Sequence, residues 1–255
     1  MTATLFLCCP SLSFSGSTAR TANSFNRLKN LLSVFDISVK TLFLSSDQND
    51  LASAEAHSYF DYIFFSPCEG VYAAFNAAIK KSLSLSADWI WLLGEGDTIL
   101  CERLDLSILS QNLSLGSHIL MMNMFVGDRK LRCKLKEAFP SPLFSLDTMR
   151  FNHPASIISA NAYSINGLYS LDYKVVSDYY WLHKACAANL SITHLPFVSV
   201  YHELGGISTS SGKSRFFEHY QCLLALNRVY GFSFSVFFAL IFRLTRCLVS
   251  SFFAK

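Results

Sequence analysis

An α/β fold with a mostly parallel central sheet flanked by helices is predicted by three observations. Short apolar runs, "TLFLCC", "VKTLFL", "DYIFF" and "DWIWLL", have the length and composition of buried strands. Segments with apolar residues at helical spacing lie between several of them. Strand and helix in alternation imply right-handed βαβ units and strands that run the same way.

Each element follows from its own pattern. "TLFLCC" gives the first strand, and Phe25, Leu28, Leu31, Leu32 and Phe35 mark a helix from about Thr18 to Phe35. "VKTLFL" and "DYIFF" give two more strands, separated by the polar "SSDQNDLASAEAHS". Val71, Phe75, Ala78, Ile79 and Leu83 define one face of a helix from Gly70 to Leu85, and "DWIWLL" follows as the next strand. A short helix, Arg103 to Gln111, leads to "SHILMMNMF" and "DRKLRCKLK", read as a hairpin-like extension. Its second strand carries Arg129, Lys130, Arg132, Lys134 and Lys136, either a solvated face or a surface for anionic lipid or a lipid-linked diphosphate. "VVSDYYWLHKACA" reads as a helix, "LSITHLPFVSVYH" as one or two strands, and "KSRFFEHYQCLLALNRVYG" as a helix ending at Gly231.

A chain of 255 residues can bury one substantial core. The expected organisation is one domain over residues 1–230 and a C-terminal helical appendage over 231–255. Residues 232–242 are largely apolar, and Arg243 and Arg246 follow. A spanning helix needs about 20 apolar residues, so the expected forms are a helix lying in the membrane surface or one packed on the domain. A net charge of +3 and a pI near 8.4 are too mild to make nucleic acid the main partner. The eight cysteines include no CxxC pair and no zinc-type spacing, as expected of small core residues in a reducing compartment. "MTATLFLCCPSLS" has no basic residues ahead of its apolar core, so a first strand is expected and not a signal peptide. The expected location is cytoplasmic, with peripheral contact on the inner face of the cell membrane if the tail lies in it. The sequons at Asn112 and Asn189 are then accidental.

The chemistry concentrates in "WIWLLGEGDTIL", a buried strand ending on Glu95 and Asp97. Ligands of open α/β sheets bind beyond the carboxyl ends of the strands. Carboxylates there can hold a hard divalent cation that neutralises phosphate oxygens. Gly and Asp are equally suited to a simple strand-to-loop turn.

The stretch "GVYAAFNAAIKKSLSLSADWIWLLGEGDTIL" resembles the middle of family 2 glycosyltransferases of the GT-A fold, of the bacterial polysaccharide and lipopolysaccharide type. The family form there is "GIYDAMNKGI", a spacer, then "GDYIxFLNxDD". "HPASIISANAYSINGLYSLDYKVVSDYYWLHKA" resembles the acceptor-side segment, and "YHELGGIS" the Gly-Gly-x-Ser ending. The three blocks keep the family's order over residues 66 to 208. The resemblance implies an inverting transfer of sugar from a nucleotide-diphosphate donor, most simply a UDP-sugar, to a saccharide or lipid-linked acceptor. It further implies that Asp97, with Glu95 as a second carboxylate, ligates Mg²⁺ or Mn²⁺, and that Asp178 is the base. His153 falls where the family contacts donor or acceptor, and Gly70, Tyr72, Asn76, Gly205, Gly206 and Ser208 fall on its binding positions. His202 is either a further metal or phosphate contact or a structural residue. The family's uridine-binding motifs read here as "CCPSLSFSGS" and "SSDQNDL", where Pro10, Asp47 and Asp50 stand in. Ala73 replaces an Asp, and the acidic residue before the block is Cys68 or, with a shift, Glu69. Two other readings remain: a GT-A domain that has lost catalysis and acts as a binding or scaffold subunit, and a different nucleotide-binding α/β enzyme such as a nucleotidyltransferase.

Overall fold

The computed structural model describes residues 2–128, 132–138, 151–204, 218 and 220–226. The tail over 231–255, Gly205, Gly206 and Ser208, and Arg129 and Lys130 of the basic run lie outside the described residues.

The chain opens with β1 (Ala3–Ser11), α1 (Gly16–Leu32) and β2 (Ile37–Ser45). Ser15 starts α1 two residues ahead of the expected point, through a capping box with Thr18. The polar segment after β2 is more ordered than its composition suggested. Asp47 caps a 3₁₀ turn (Gln48–Ala52), and Ser53 caps α2 (Ala54–Tyr59). Next come β3 (Tyr62–Phe65), α3 (Val71–Ser84), β4 (Trp89–Leu92) and the two-residue β5 (Thr98–Ile99). The helix expected from Arg103 is instead α4 (Leu106–Ser114), because Asp105 caps it by accepting from the Ile108 N–H at 3.0 Å. The hairpin of β6 (Ile119–Asp128) and β7 (Arg132–Lys136) forms as expected. Two further elements were not anticipated: β8 (Ser156–Ser159) and α5 (Ala160–Asn166). α6 (Ser177–Ala187) and a single β9 (Ile192–Glu203) follow. The ladder between β6 and β9 skips Pro196 and Phe197, so one strand accommodates the proline at an irregularity.

The nine described strands form one sheet in the order β3-β2-β1-β4-β8-β6-β9-β5, with β7 on β6. β1, β2, β3 and β4 pair in parallel, and β8 is inserted antiparallel between β4 and β6. Two successive antiparallel steps return β6 to the direction of β4, and β9 pairs with it in parallel. Strand alternation feeds two apolar layers. Leu5, Leu7, Trp89 and Trp91 face Phe25, Leu28 and Leu32 of α1 and Leu109 of α4. Phe6, Cys8, Ile90 and Leu92 face Tyr72, Phe75 and Ile79 of α3 and Trp181 of α6. Truncating a buried aromatic such as Trp91, which has no exposed surface, would cost about 3–5 kcal/mol. The carboxyl ends of β1, β2, β4 and β9 therefore share one edge.

Candidate active site

Gly94 to Asp97 form a turn in which the Asp97 N–H donates to the Gly94 carbonyl at 3.2 Å. Gly96 has φ +90°, the conformation that the third residue of a type II turn requires. The turn is bound to α1: the Gly96 N–H donates to Thr21 Oγ1 at 3.1 Å, and the Ile99 N–H to Ser24 Oγ at 3.1 Å. Both hydroxyl residues are buried, so the turn rests on a prepared polar spot within an otherwise apolar helix face.

The two carboxylates of the motif go different ways. Asp97 is buried, and its Oδ2 accepts from the Gly94 N–H at 3.0 Å. Its Oδ1 meets His202 Nδ1 at 2.7 Å. The antiparallel register Thr98 to Tyr201 sets Asp97 opposite His202, which explains how residues so far apart in sequence meet. Burial lowers the His202 pKa, but the hydrogen bond and charge of Asp97 outweigh it, and the net direction is upward. Glu95 is exposed and turns to the β1–α1 connection, accepting from Ser11 Oγ at 2.6 Å and from Ser15 Oγ.

Asp178 lies in the first turn of α6 and is half-buried. Its Oδ1 accepts from the Tyr72 hydroxyl at 2.9 Å and from the Tyr179 N–H at 2.8 Å. No hydrogen bond reaches Oδ2 among the described residues. Tyr72 also lies 2.9 Å from the Val175 carbonyl. Burial, reinforced by the Asp178 charge, pushes the phenol well above its ordinary pKa, so it remains a donor. Asn76 fixes the backbone beside it: its amide donates to the Tyr169 carbonyl at 2.8 Å and accepts from the Tyr169 N–H at 3.0 Å.

His153 joins the two sides. It is buried, stacked on Phe75 at 4.9 Å between ring centres, and its Nε2 lies 2.9 Å from the Tyr169 hydroxyl. Burial lowers its pKa, although Asp178 and Asp97 both act on it in the opposite sense and His202 in the same one. Asp178, Asp97 and His202 thus lie within electrostatic reach of one buried imidazole.

The remaining expected residues occupy varied places. Gly70 caps α3 with φ +89°, and Glu69 beside it is exposed. Pro10 is buried in β1 beyond the last β4 pairing, at Cys8. Asp47 Oδ1 accepts from the Asn49 N–H at 2.9 Å, and Asp50 Oδ2 accepts from the Phe14 N–H at 2.8 Å and Ser45 Oγ at 2.5 Å. Sequence reasoning missed Thr21 and Ser24, whose signal was a pair of hydroxyls just ahead of the apolar stripe of α1.

The fold is that of solved glycosyltransferases. The structure of S. aureus TarS aligns with a TM-score of 0.59 and 15% identity over 90% of this chain. This chain spans 44% of that TarS chain. TarS 1-349 in complex with UDP-GlcNAc gives a TM-score of 0.59 and 13% identity over 88% of this chain and 66% of its own. The mannosyltransferase PcManGT from Pyrobaculum calidifontis, in complex with GDP-Man and Mn²⁺, gives 0.58 and 8% identity over 97% and 74%. No family model matches the sequence, and no curated protein matches it by sequence.

Proposed function

We propose that the chain is an inverting glycosyltransferase that moves a sugar from a nucleoside-diphosphate donor to a hydroxyl of a saccharide or lipid-linked acceptor in surface polysaccharide synthesis. The observation that carries this reading is the pairing of Asp97 with His202 at the sheet edge, within electrostatic reach of the same buried His153 as Asp178. Neighbours of the same fold bind UDP-GlcNAc and GDP-Man.

The chemistry assigns each group a task. Asp178 Oδ2, which accepts no hydrogen bond among the described residues while Tyr72 holds Oδ1, takes the acceptor proton. The acceptor oxygen then bonds to the anomeric carbon as the bond from that carbon to the diphosphate oxygen breaks, and the nucleoside diphosphate leaves with the electron pair. One such displacement inverts the anomeric centre. A divalent Mg²⁺ or Mn²⁺ would neutralise charge on the leaving diphosphate. Asp97 and His202 fit such an ion as a buried carboxylate with an imidazole. Among the described residues no cluster of three or more His, Cys, Asp or Glu gathers, so diphosphate oxygens and water would complete the shell.

A second reading, a GT-A domain that binds without catalysis, is favoured by one observation. Asp47, Asp50 and Glu95, the acidic residues nearest the expected nucleotide side, all spend hydrogen-bonding capacity on the protein itself. Assaying metal-dependent hydrolysis and transfer over a panel of nucleotide sugars, with Asp178→Asn alongside, separates the readings. The enzyme reading expects turnover that falls about 10²-fold or more in the variant while donor affinity holds. Donor binding without turnover by the wild type would establish the scaffold reading.

The tail completes the proposal: residues 231–255 hold the enzyme peripherally on the inner face of the cell membrane, supported by the apolar run and the Arg243 and Arg246 that follow it. Among the described residues no helix is long and apolar enough to cross a membrane. Truncation after Gly231 should abolish flotation with anionic liposomes and leave the thermal melt unchanged. Lost stability with unchanged flotation would refute the membrane role.

A further inference from the structure

Along β7, Lys134 and Leu135 are exposed, whereas Lys136 is half-buried at the strand's end. Lys136 pairs with Met124 of β6, and His202 of β9 pairs with Val126 of the same strand. Met124 and Val126 are two residues apart, so the register sends Lys136 and His202 from the same face of the sheet. Strands β7 and β9 flank β6 and are therefore about 10 Å apart, a gap that a lysine side chain and a diphosphate together can bridge.

The strand end is anchored. Asn152 has no exposed surface, and its amide donates to the Lys136 carbonyl at 3.0 Å and the Met122 carbonyl at 3.1 Å. Two residues on, the Ala138 N–H donates to Asn123 Oδ1 at 2.8 Å. No carboxylate among the described residues lies within ion-pairing distance of the Lys136 ammonium. Burial lowers its pKa while Asp178 acts in the opposite sense, and the ammonium is itself felt at His202. A partly desolvated cation that no carboxylate of the described residues pairs is unfavourable until an anion arrives.

Resting on the glycosyltransferase reading, we propose that Lys136 binds a phosphoryl oxygen of the donor diphosphate, on the far side of that group from Asp97 and His202. The ammonium then supplies positive charge to the leaving group from the protein itself, and the Asn152 clamp sets where that charge stands.

Calorimetric titration of the wild type, Lys136→Met and Lys136→Arg with UDP, GDP and the parent nucleosides, with Mn²⁺ and with chelator, tests this. Lys136→Met should weaken the diphosphate about 10-fold to 100-fold with or without metal, as expected of one lost charge-assisted contact. Nucleoside affinity should not change, and Lys136→Arg should restore most of the loss. Because the variant removes a partly buried charge, it should melt at or above the wild-type temperature, which excludes misfolding as the cause. Equal diphosphate affinity in Lys136→Met overturns the inference alone, including the case in which Lys136 serves an anionic acceptor. Failure of the wild type to bind any nucleoside diphosphate overturns the functional reading and this inference with it.

Discussion

Replacing Gly96 by alanine should weaken both the fold and the site, by an amount the turn geometry sets. Gly96 has φ +90°, where an L side chain costs about 1–2 kcal/mol. The added Cβ would stand 2.9 Å from Glu203 Oε2, closer than such contacts allow. That oxygen ends a flexible side chain, so a side-chain shift relieves the contact, and the backbone term dominates. The shift also disturbs the Arg20–Glu203 pair at 3.5 Å, which is partly exposed and contributes at most about 1 kcal/mol. For a chain of this size each kcal/mol moves the melting temperature by about 2–4 °C, so the two costs together should make Gly96→Ala melt about 2–12 °C below the wild type. Gly16→Ala is the control: its Cβ would meet nothing within 4 Å and its φ is not positive. It should be neutral or slightly stabilising. Glu203 adjoins His202, so the same substitution should loosen the Asp97–His202 pair and weaken Mn²⁺-dependent UDP binding in calorimetry. A Gly96→Ala melt within about 1 °C of the wild type would refute the type II turn as the device that positions Asp97.

Tyr72→Phe removes the phenol that holds Asp178 Oδ1. Turnover should fall about tenfold with donor affinity unchanged, and a rise in donor KM at constant kcat would show that Tyr72 acts on binding instead. Asp97→Asn should abolish the metal-dependent part of UDP affinity and leave the part measured in chelator, because it removes the charge that compensates the cation. Equal metal enhancement in the variant would remove Asp97 from the metal site. His153 titrates below its unfolded value because it is buried, so between the unfolded pKa, about 6.5, and its lower folded value the unfolded chain binds more protons. Its contribution to stability is therefore complete above about pH 6.5 and is lost as pH falls through that window. Denaturant melts of wild type and His153→Gln should converge in pH slope only at higher pH, with the variant flatter below it; identical slopes would show that His153 is not buried neutral.

The first half of the fold was legible because its signals are local. Strands buried on both faces read as continuous apolar runs, and Phe25, Leu28 and Leu32 set the stripe of α1. After Asp97 the information becomes non-local. β8 is only "SIIS", and it becomes a strand by insertion between β4 and β6. His202 acquires its partner through the register of β5 on β9, which no window of sequence displays. Lys136 looked like one charge in a basic run, and only its partial burial at the strand end and the Asn152 clamp separate it from the exposed Lys134. The motif itself makes the same point at the smallest scale. Glu95 and Asp97 are separated by one residue, and the resemblance implied a shared metal role. In the type II turn, however, Asp97 closes back on Gly94 and faces inward to His202, while Glu95 at the turn's outer corner is taken by Ser11 and Ser15. Spacing announces that two carboxylates are near each other. The conformation of Gly96 between them decides that one turns inward to His202 and the other ties the turn to the β1–α1 connection.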